Sequence, residues 1–389
     1  MNWLEEIKNN VDTLDELKQF ITINESEETA LSMVVEQHPM SITRYYLSLI
    51  DPQNPNDPVR KMIVPSVEEL QMEGSYDTSG EASNTVMPGL QHKYGSTALI
   101  ISTNRCAAYC RFCFRKRMVG LPNKEVISTF LDAVSYIRQH KEITNVLITG
   151  GDSLILPTET LKVFLEELAT IDHLDYIRFG SRIPVVFPQR IIGDRELQNI
   201  FSHFTRHHKQ VYVVTHFNHP NEFTPSSELA VEILKKCGIV INNQTVLFRG
   251  VNDQPNILAS LMRNLVRNGI NPYYVFQCRP VKRVKSHFQV PITKGYSIVE
   301  KAKSQLDGHA KRFKYIMSHK TGKIEIVGIM GDEIILKYHQ AKDASLMGKL
   351  FKRKLNPEAG WLDELHDTYR PIIKNNLNRH TSTHWQSSL

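Results

Sequence analysis

The chain contains no long hydrophobic run: stretches such as "ALIIST" and "NVLITG" are strand-length and far short of a bilayer span. Its first residues, "MNWLEEIKNNVDTLDELKQF", are acidic and polar and resemble neither a signal peptide nor a transit peptide. No membrane association is expected, and the setting read from these features is cytoplasmic. Charge of one sign is also in short supply. The 47 Lys and Arg stand against 41 Asp and Glu, and the net charge of +6 is too mild to indicate nucleic acid as a partner. Cysteine is rare, with 5 in 389 residues, which does not make the disulfide framework of a small secreted protein.

What the sequence does have is a crowding of those cysteines. "NRCAAYCRFCFRKR" (104–117) holds Cys106, Cys110 and Cys113 in the spacing C-x3-C-x2-C. A structural zinc site wants four ligands, usually as two pairs, and neither Cys237 nor Cys278 has a thiol partner nearby in sequence. A thioredoxin-like pair needs two cysteines, not three. Three thiolates on one short loop suit an iron–sulfur cluster with one iron left open.

Beyond the cysteines the chain alternates. Short apolar, β-branched segments predict strands at 97–103, 145–150, 175–180, 211–217, 240–247 and 273–278. Apolar residues at three- and four-residue spacing predict helices at 124–140, 157–171, 193–204, 226–237, 254–268 and 293–306. Such alternation implies an α/β fold on a parallel sheet, in which ligands collect at the carboxyl ends of the strands. Cys106 follows the first strand, Gly150, Gly151 and Asp152 the second, and Ser181 and Arg182 the third. His216 closes the fourth, Gln244 lies within the fifth and Arg279 follows the sixth. Taken singly, the glycine pair could be a tight turn and His216 a core histidine.

The cysteine order, with Phe112 before the last, resembles the radical S-adenosylmethionine superfamily. The blocks "MPGLQHKY", "CAAYCRFCFRKR", "TGGDSLIL", "GSRIPVV", "PQRI", "THFNHPNE", "NNQTVLFRGVND" and "PYYVFQC" resemble, in order, those of the lysine 2,3-aminomutases, over about residues 60 to 340. That resemblance implies a partial (β/α)6 barrel over 93–310, an N-terminal helical extension over 1–92, and a C-terminal β-hairpin and helical segment over 311–389. It implies an isomerase that moves an amino group between C2 and C3 of an amino acid. It also implies a [4Fe–4S] cluster on Cys106, Cys110 and Cys113, S-adenosylmethionine, and pyridoxal 5′-phosphate on Lys323 of "SHKTGKIEIVG". Lys93 and Tyr94 fall near the cofactor phosphate, and Gly150, Gly151, Asp152, His216 and Gln244 fall among the cofactor-binding positions. Arg115 matches the arginine that grips the substrate α-carboxylate. A flavodoxin- or ferredoxin-type electron donor and a homo-oligomer complete the picture.

The chain departs from this pattern where a lysine substrate would need acid. Lysine-specific members hold the ε-ammonium with two aspartates; here the first position is Arg279, in "FQCRPVKRVKSHF", and the second stretch, "YIMSHKTGK", has no acid. A cation facing an ammonium repels it, so glutamate or another non-lysine amino acid is the expected substrate, with Arg279 binding it. Lys282, Arg283 and Lys285 read as an exposed loop. A lysine 2,3-aminomutase, and a radical enzyme of another outcome such as an epimerase or dehydratase, stay open as alternatives; an RNA-binding role does not account for the cysteines and Lys323 together. The family's zinc-binding type has a cysteine after "GVND" and more near its C-terminus. Here Gln254 follows Asp253 and no cysteine follows Cys278, so zinc is not expected. The tail over 341–389 matches no motif, and packing on the barrel or on a neighbouring subunit are both open.

Overall fold

A computed structural model describes residues 3–367. Its strands are β1 (Thr85–Met87), β2 (Leu90–Tyr94), β3 (Thr97–Thr103), β4 (Asn145–Gly150), β5 (Tyr176–Gly180), β6 (Gln210–Thr215), β7 (Val240–Leu247), β8 (Asn271–Gln277), β9 (Lys314–His319), β10 (Gly322–Met330), β11 (Glu333–Ala341), β12 (Leu350–Lys354) and β13 (His366–Asp367). They form one open sheet in chain order. From β3 to β9 the pairing is parallel. The flanks, β1–β3 and β9–β13, are antiparallel. The six expected strands are β3 to β8. The helix Ile292–Lys303 adds β9 as a further parallel neighbour, which the mixed polarity of "KYIMSH" concealed in the sequence.

The crossover helices bury one stripe each. Arg195–His207 buries Leu197, Ile200, Phe201 and Phe204, an i, i+3, i+4, i+7 pattern. Asp194 caps that helix by accepting from Leu197 N at 2.9 Å. One predicted helix starts late: 124–140 is helical only over Phe130–Gln139. Val126 and Ile127 contribute the apolar spacing, but the Ile127 amide donates to Ile101 O at 2.8 Å, which ties this irregular segment to β3. No helix among the described residues is long and apolar enough to cross a membrane.

The N-terminal segments lie on the cysteine loop. Tyr109 N donates to Ser41 O and Arg111 N to Met62 O, both at 2.9 Å. At the other end, 341–367 pack on the sheet: Ile292 N donates to Ala359 O (2.8 Å) and Gln277 Nε2 to Gly360 O (2.9 Å). The remainder of the tail, 368–389, lies outside the described residues.

The strongest tie in this frame is a buried carboxylate. Glu69 is fully buried; it accepts from Arg111 Nε and Nη2, both at 2.7 Å, and from Lys116 Nζ. Burial alone would raise its carboxyl, but the charges and hydrogen bonds of Arg111 and Lys116 outweigh that and hold it at about 2. Glu69→Gln should strand two buried cations and cost about 3–5 kcal/mol of unfolding free energy, read from denaturant melts. A loss below about 1 kcal/mol would contradict the role given to this group.

Candidate functional site

The cysteine loop hangs from β3 and is clasped by the end of β4. Gly151 N donates to Thr103 O (2.6 Å) and Asp152 N to Arg105 O (2.8 Å). A Cβ on Gly151 would sit 2.1 Å from Arg105 O, and Gly150 has φ +128 with Thr103 O 2.3 Å from where its Cβ would be. The glycine pair therefore exists, at the least, to let two backbones touch. Asp152 is occupied internally: its carboxylate accepts from Ser181 Oγ and Arg182 N, each at 2.6 Å, and from Leu154 N at 3.0 Å. Arg182 spans from Cys110 Sγ (2.9 Å) to the buried Glu222 and the Tyr46 hydroxyl (2.7 Å). Phe112 packs edge-on to His216 at 5.4 Å between centroids, and the buried His216 Nε2 has no hydrogen-bond partner among the described residues. Burial, then the Arg182 charge, lowers His216 to about 3, so it is neutral.

Among the described residues no three His, Cys, Asp or Glu side chains converge tightly enough for a single metal ion. A [4Fe–4S] cluster does not require that, because each thiolate takes a different iron. Burial pushes Cys106 and Cys113 up, reinforced at Cys106 by Asp152 and the other two thiols and at Cys113 by Cys110, Cys113 to about 11. Such thiols ionise only against added positive charge, which an iron–sulfur core supplies, so the residues fit that group.

A second group of residues surrounds Lys323 at the start of β10. Its Nζ stands over the rings of Tyr94 (5.7 Å) and Tyr274 (5.1 Å). Burial first, then Arg178, Lys93 and Arg279, lowers its ammonium to about 7. A half-neutral amine at physiological pH is what capture of an aldehyde needs, so pyridoxal phosphate fits here. Lys93 Nζ stands 5.6 Å from the Tyr94 ring and donates to Ser79 O (3.2 Å) and His319 O (2.7 Å). Arg279 turns inward: Nη1 donates to Ser79 Oγ and Nη2 to Ser318 Oγ, each at 2.9 Å, and Ser318 is the cross-strand neighbour of Lys323. Among the described residues no carboxylate forms an ion pair with it.

Phe114 joins the two groups. The guanidinium carbons of Arg115 and Arg279 lie 4.7 and 4.3 Å from the centroid of this one ring. Arg115 also donates to Gly150 O (3.3 Å), at the β4 clasp. Of the residues singled out in the sequence, Cys106, Cys110, Cys113, Gly150, Gly151, Asp152 and His216 gather at the loop. Lys93, Tyr94, Arg279 and Lys323 gather at the hairpin, with Arg115 between. Gln244 pairs with Tyr274 in the sheet and its side chain makes no hydrogen bond among the described residues. Arg283 is not part of an exposed loop: it is buried, with φ 66, and donates to Glu69 O at 2.9 Å. Glu81, Phe114, Arg178, Tyr274 and Ser318 were not foreseen. Phe114, Tyr274 and Ser318 lie inside the motifs "CRFCFRKR", "PYYVFQC" and "SHKTGKIEIVG" and so carry a signal; Glu81 sits in "YDTSGEASN", which reads as a solvated turn.

No family model matches the chain. It is 43% identical over 350 residues to an Aquifex aeolicus protein that carries the name "Putative L-lysine 2,3-aminomutase", covering 90% of this chain and 93% of that one. It is 38% identical over 311 residues to the L-lysine 2,3-aminomutase of Clostridium subterminale, covering 79% and 73%. The glutamate 2,3-aminomutase of Clostridioides difficile is 34% identical over 311 residues, covering 79% and 72%. A solved radical SAM methyltransferase from Sphaerobacter thermophilus aligns with 14% identity over 58% of this chain and 68% of that one, at a TM-score of 0.38, too low to carry any argument.

Two outcomes test the site. Anaerobically prepared protein should bind about four irons, and alanine at any of Cys106, Cys110 or Cys113 should remove most of them by iron and sulfide assay. The Lys323 amine should react with pyridoxal phosphate at a rate that rises through about pH 7. An ordinary lysine would not reach that rate until above about pH 10. Borohydride reduction and peptide mapping would reveal a different lysine if the assignment is wrong.

Proposed function

The chain belongs to the 2,3-aminomutase family, whose members are isomerases, and from that premise we propose that it moves the amino group of an amino acid bearing an anionic side chain, such as glutamate, between C2 and C3. When bound, S-adenosylmethionine on the iron–sulfur cluster supplies a carbon-centred radical, and pyridoxal phosphate supplies the carbonyl that takes up the amino group.

The protein's own part is positioning. Lys323, lowered to about 7, sheds its proton from Nζ without an added base and is free to be exchanged for the substrate amine. Arg115 offers a planar fork to the α-carboxylate, and its 3% exposure keeps that contact out of water. With the carboxylate held at Arg115 and the amino group in the place that Lys323 gives up, C3 would have one orientation relative to the cysteine loop, which is the geometric demand of hydrogen abstraction. The apolar wall of Phe112, Phe248 and Phe288 helps exclude water from a reactive intermediate.

The observation that carries the substrate reading is Arg279. Burial lowers it to about 10 despite the opposing charge of Glu81, so it remains a cation at neutral pH. The carboxylates near it are already engaged: Glu81 with Arg115 and Arg117, and Asp77 with the Glu81 and Ala82 amides. Asp363 reaches His319 and Lys320 instead. An incoming ammonium would find no acid free to receive it, while an incoming carboxylate would meet an unpaired guanidinium. The names of several relatives favour the second reading, lysine as substrate. The electron donor, a cytoplasmic setting and assembly into a homo-oligomer belong to the same proposal.

Competition among glutamate, glutamine, lysine and arginine, with products read by mass spectrometry, decides between them. Glutamate should be preferred over lysine by more than the 10- to 100-fold that a charge-assisted pair of about 1.5–3 kcal/mol would give, since a mismatched charge adds repulsion. Arg279→Asp should weaken glutamate turnover. Lysine as the fastest substrate of the unaltered protein would defeat the proposal.

A further inference from the structure

The sequence offers no reason to notice Glu81, yet it is 4% exposed in the middle of the site. It enters on a strap from the N-terminal extension. Gly74 packs against Pro280, where a Cβ would sit 2.1 Å from the carbonyl oxygen, and Ser75 N donates to Pro280 O at 2.9 Å. The strap then gives Ser79 Oγ to Arg279 and Ser79 O to Lys93. Gly80, with φ +67, turns the chain inward, and Asp77 holds the next two amides, Glu81 N at 2.7 Å and Ala82 N at 3.1 Å. A carboxylate mounted this way has little freedom.

Its two oxygens do different things. Oε2 accepts from Arg117 Nη2 at 2.8 Å, and Arg117 is further held by Glu125 at 2.5 Å. Oε1 accepts from Arg115 Nε at 3.0 Å and lies 2.9 Å from Nη2 in the same ion pair. Those two nitrogens form one lateral edge of the guanidinium. The end edge, between Nη1 and Nη2, retains N–H groups beyond the one given to Gly150 O.

We propose that Glu81 is a positioning residue: it grips the lateral edge of Arg115 and so aims the end edge at the α-carboxylate of the amino-acid substrate. This rests on the reading of Arg115 given above. A guanidinium that grips an anion in two places must be held in plane, because its specificity is geometric as well as electrostatic. Gly150 O fixes one corner of that plane and Glu81 the opposite side. The alternative is a plug, in which Glu81 imitates a substrate carboxylate and must leave. The two roles predict opposite signs for the same substitution.

The test is equilibrium binding by calorimetry to protein loaded with pyridoxal phosphate, using two pairs of ligands that differ only in the α-carboxylate: L-glutamate with 4-aminobutyrate, and L-lysine with 1,5-diaminopentane. Glu81→Gln should weaken binding of whichever amino acid the unaltered protein takes by about 10- to 100-fold, the worth of one charge-assisted contact, and leave the matching amine unchanged. Glu81→Asp, which keeps the charge, should recover part of the loss; if the Gln variant does not fold, an Asp variant with a smaller loss confined to the amino acid supports the same conclusion. Tighter amino-acid binding by Glu81→Gln would establish the plug and overturn the proposal. Equal loss of amino acid and amine would reduce Glu81 to a folding contact and overturn it too. Unaltered protein that binds amine and amino acid equally would remove Arg115 as the carboxylate site, and the inference with it.

Discussion

Four of the cations in the cysteine loop, Arg111, Arg115, Lys116 and Arg117, depend on two carboxylates, because a buried cation is tolerated only when its charge and hydrogen bonds are matched. Arg111 and Lys116 share Glu69; Arg115 and Arg117 share Glu81. Both carboxylates come from the N-terminal extension, so the loop is pinned by residues more than 30 positions upstream. The basic run after the last cysteine is thus neither a solvated face nor a single-purpose binding patch. It is the means by which a loop carrying three thiols, whose own sequence offers little regular structure, is held in one shape before any cluster is built on it.

The two halves of the site divide the work along that loop. Cys106, Cys110 and Cys113 have one matched charge pair beside them, Arg182 with Glu222, and a neutral His216 behind Phe112. The Lys323 side is strongly positive: Lys93, Arg178 and Arg279 all depress the lysine, and the negative charge that favours the Arg279 cation comes chiefly from Glu81, with Asp77 behind it. Excess positive charge is what a phosphate and substrate carboxylates require, and it also keeps the attacking amine neutral. One electrostatic arrangement serves both ends.

Much of this was legible in the sequence. The spacing of three cysteines, the alternation of β-branched and amphipathic segments, and the glycine pair after β4 are local features, and local features survive in one dimension. Lys323 and Arg115 stand out in the sequence because their neighbours form motifs. What escaped was set by contacts over long sequence separation. Glu81 and Ser79 sit in a serine-rich turn whose polarity looks like solvent exposure until the loop that it meets, some 200 residues away at Arg279, is folded against it. The inward turn of Arg279 likewise depends on Ser318 and Phe114, neither adjacent to it in the chain. The late start of the helix at Phe130 is the reverse case, in which a correct apolar pattern was satisfied by β3 rather than by a helix face.

The C-terminal segment has a consequence for how the enzyme comes into being. The hydrogen bonds and ion pairs described for the cysteine loop are made by residues up to Glu222, although Phe112 and Phe114 also pack on Phe248, Phe288 and Arg279, so those polar ties can form while the chain is still being synthesised. The other half of the site cannot. It needs Arg279, then Lys323, and is backed by Asp363 on His319 and by Gly360 on Gln277. Vectorial synthesis therefore sets an order: the polar ties that hold the cysteine loop can form first, and those that surround and back Lys323 only after Asp363 has been made.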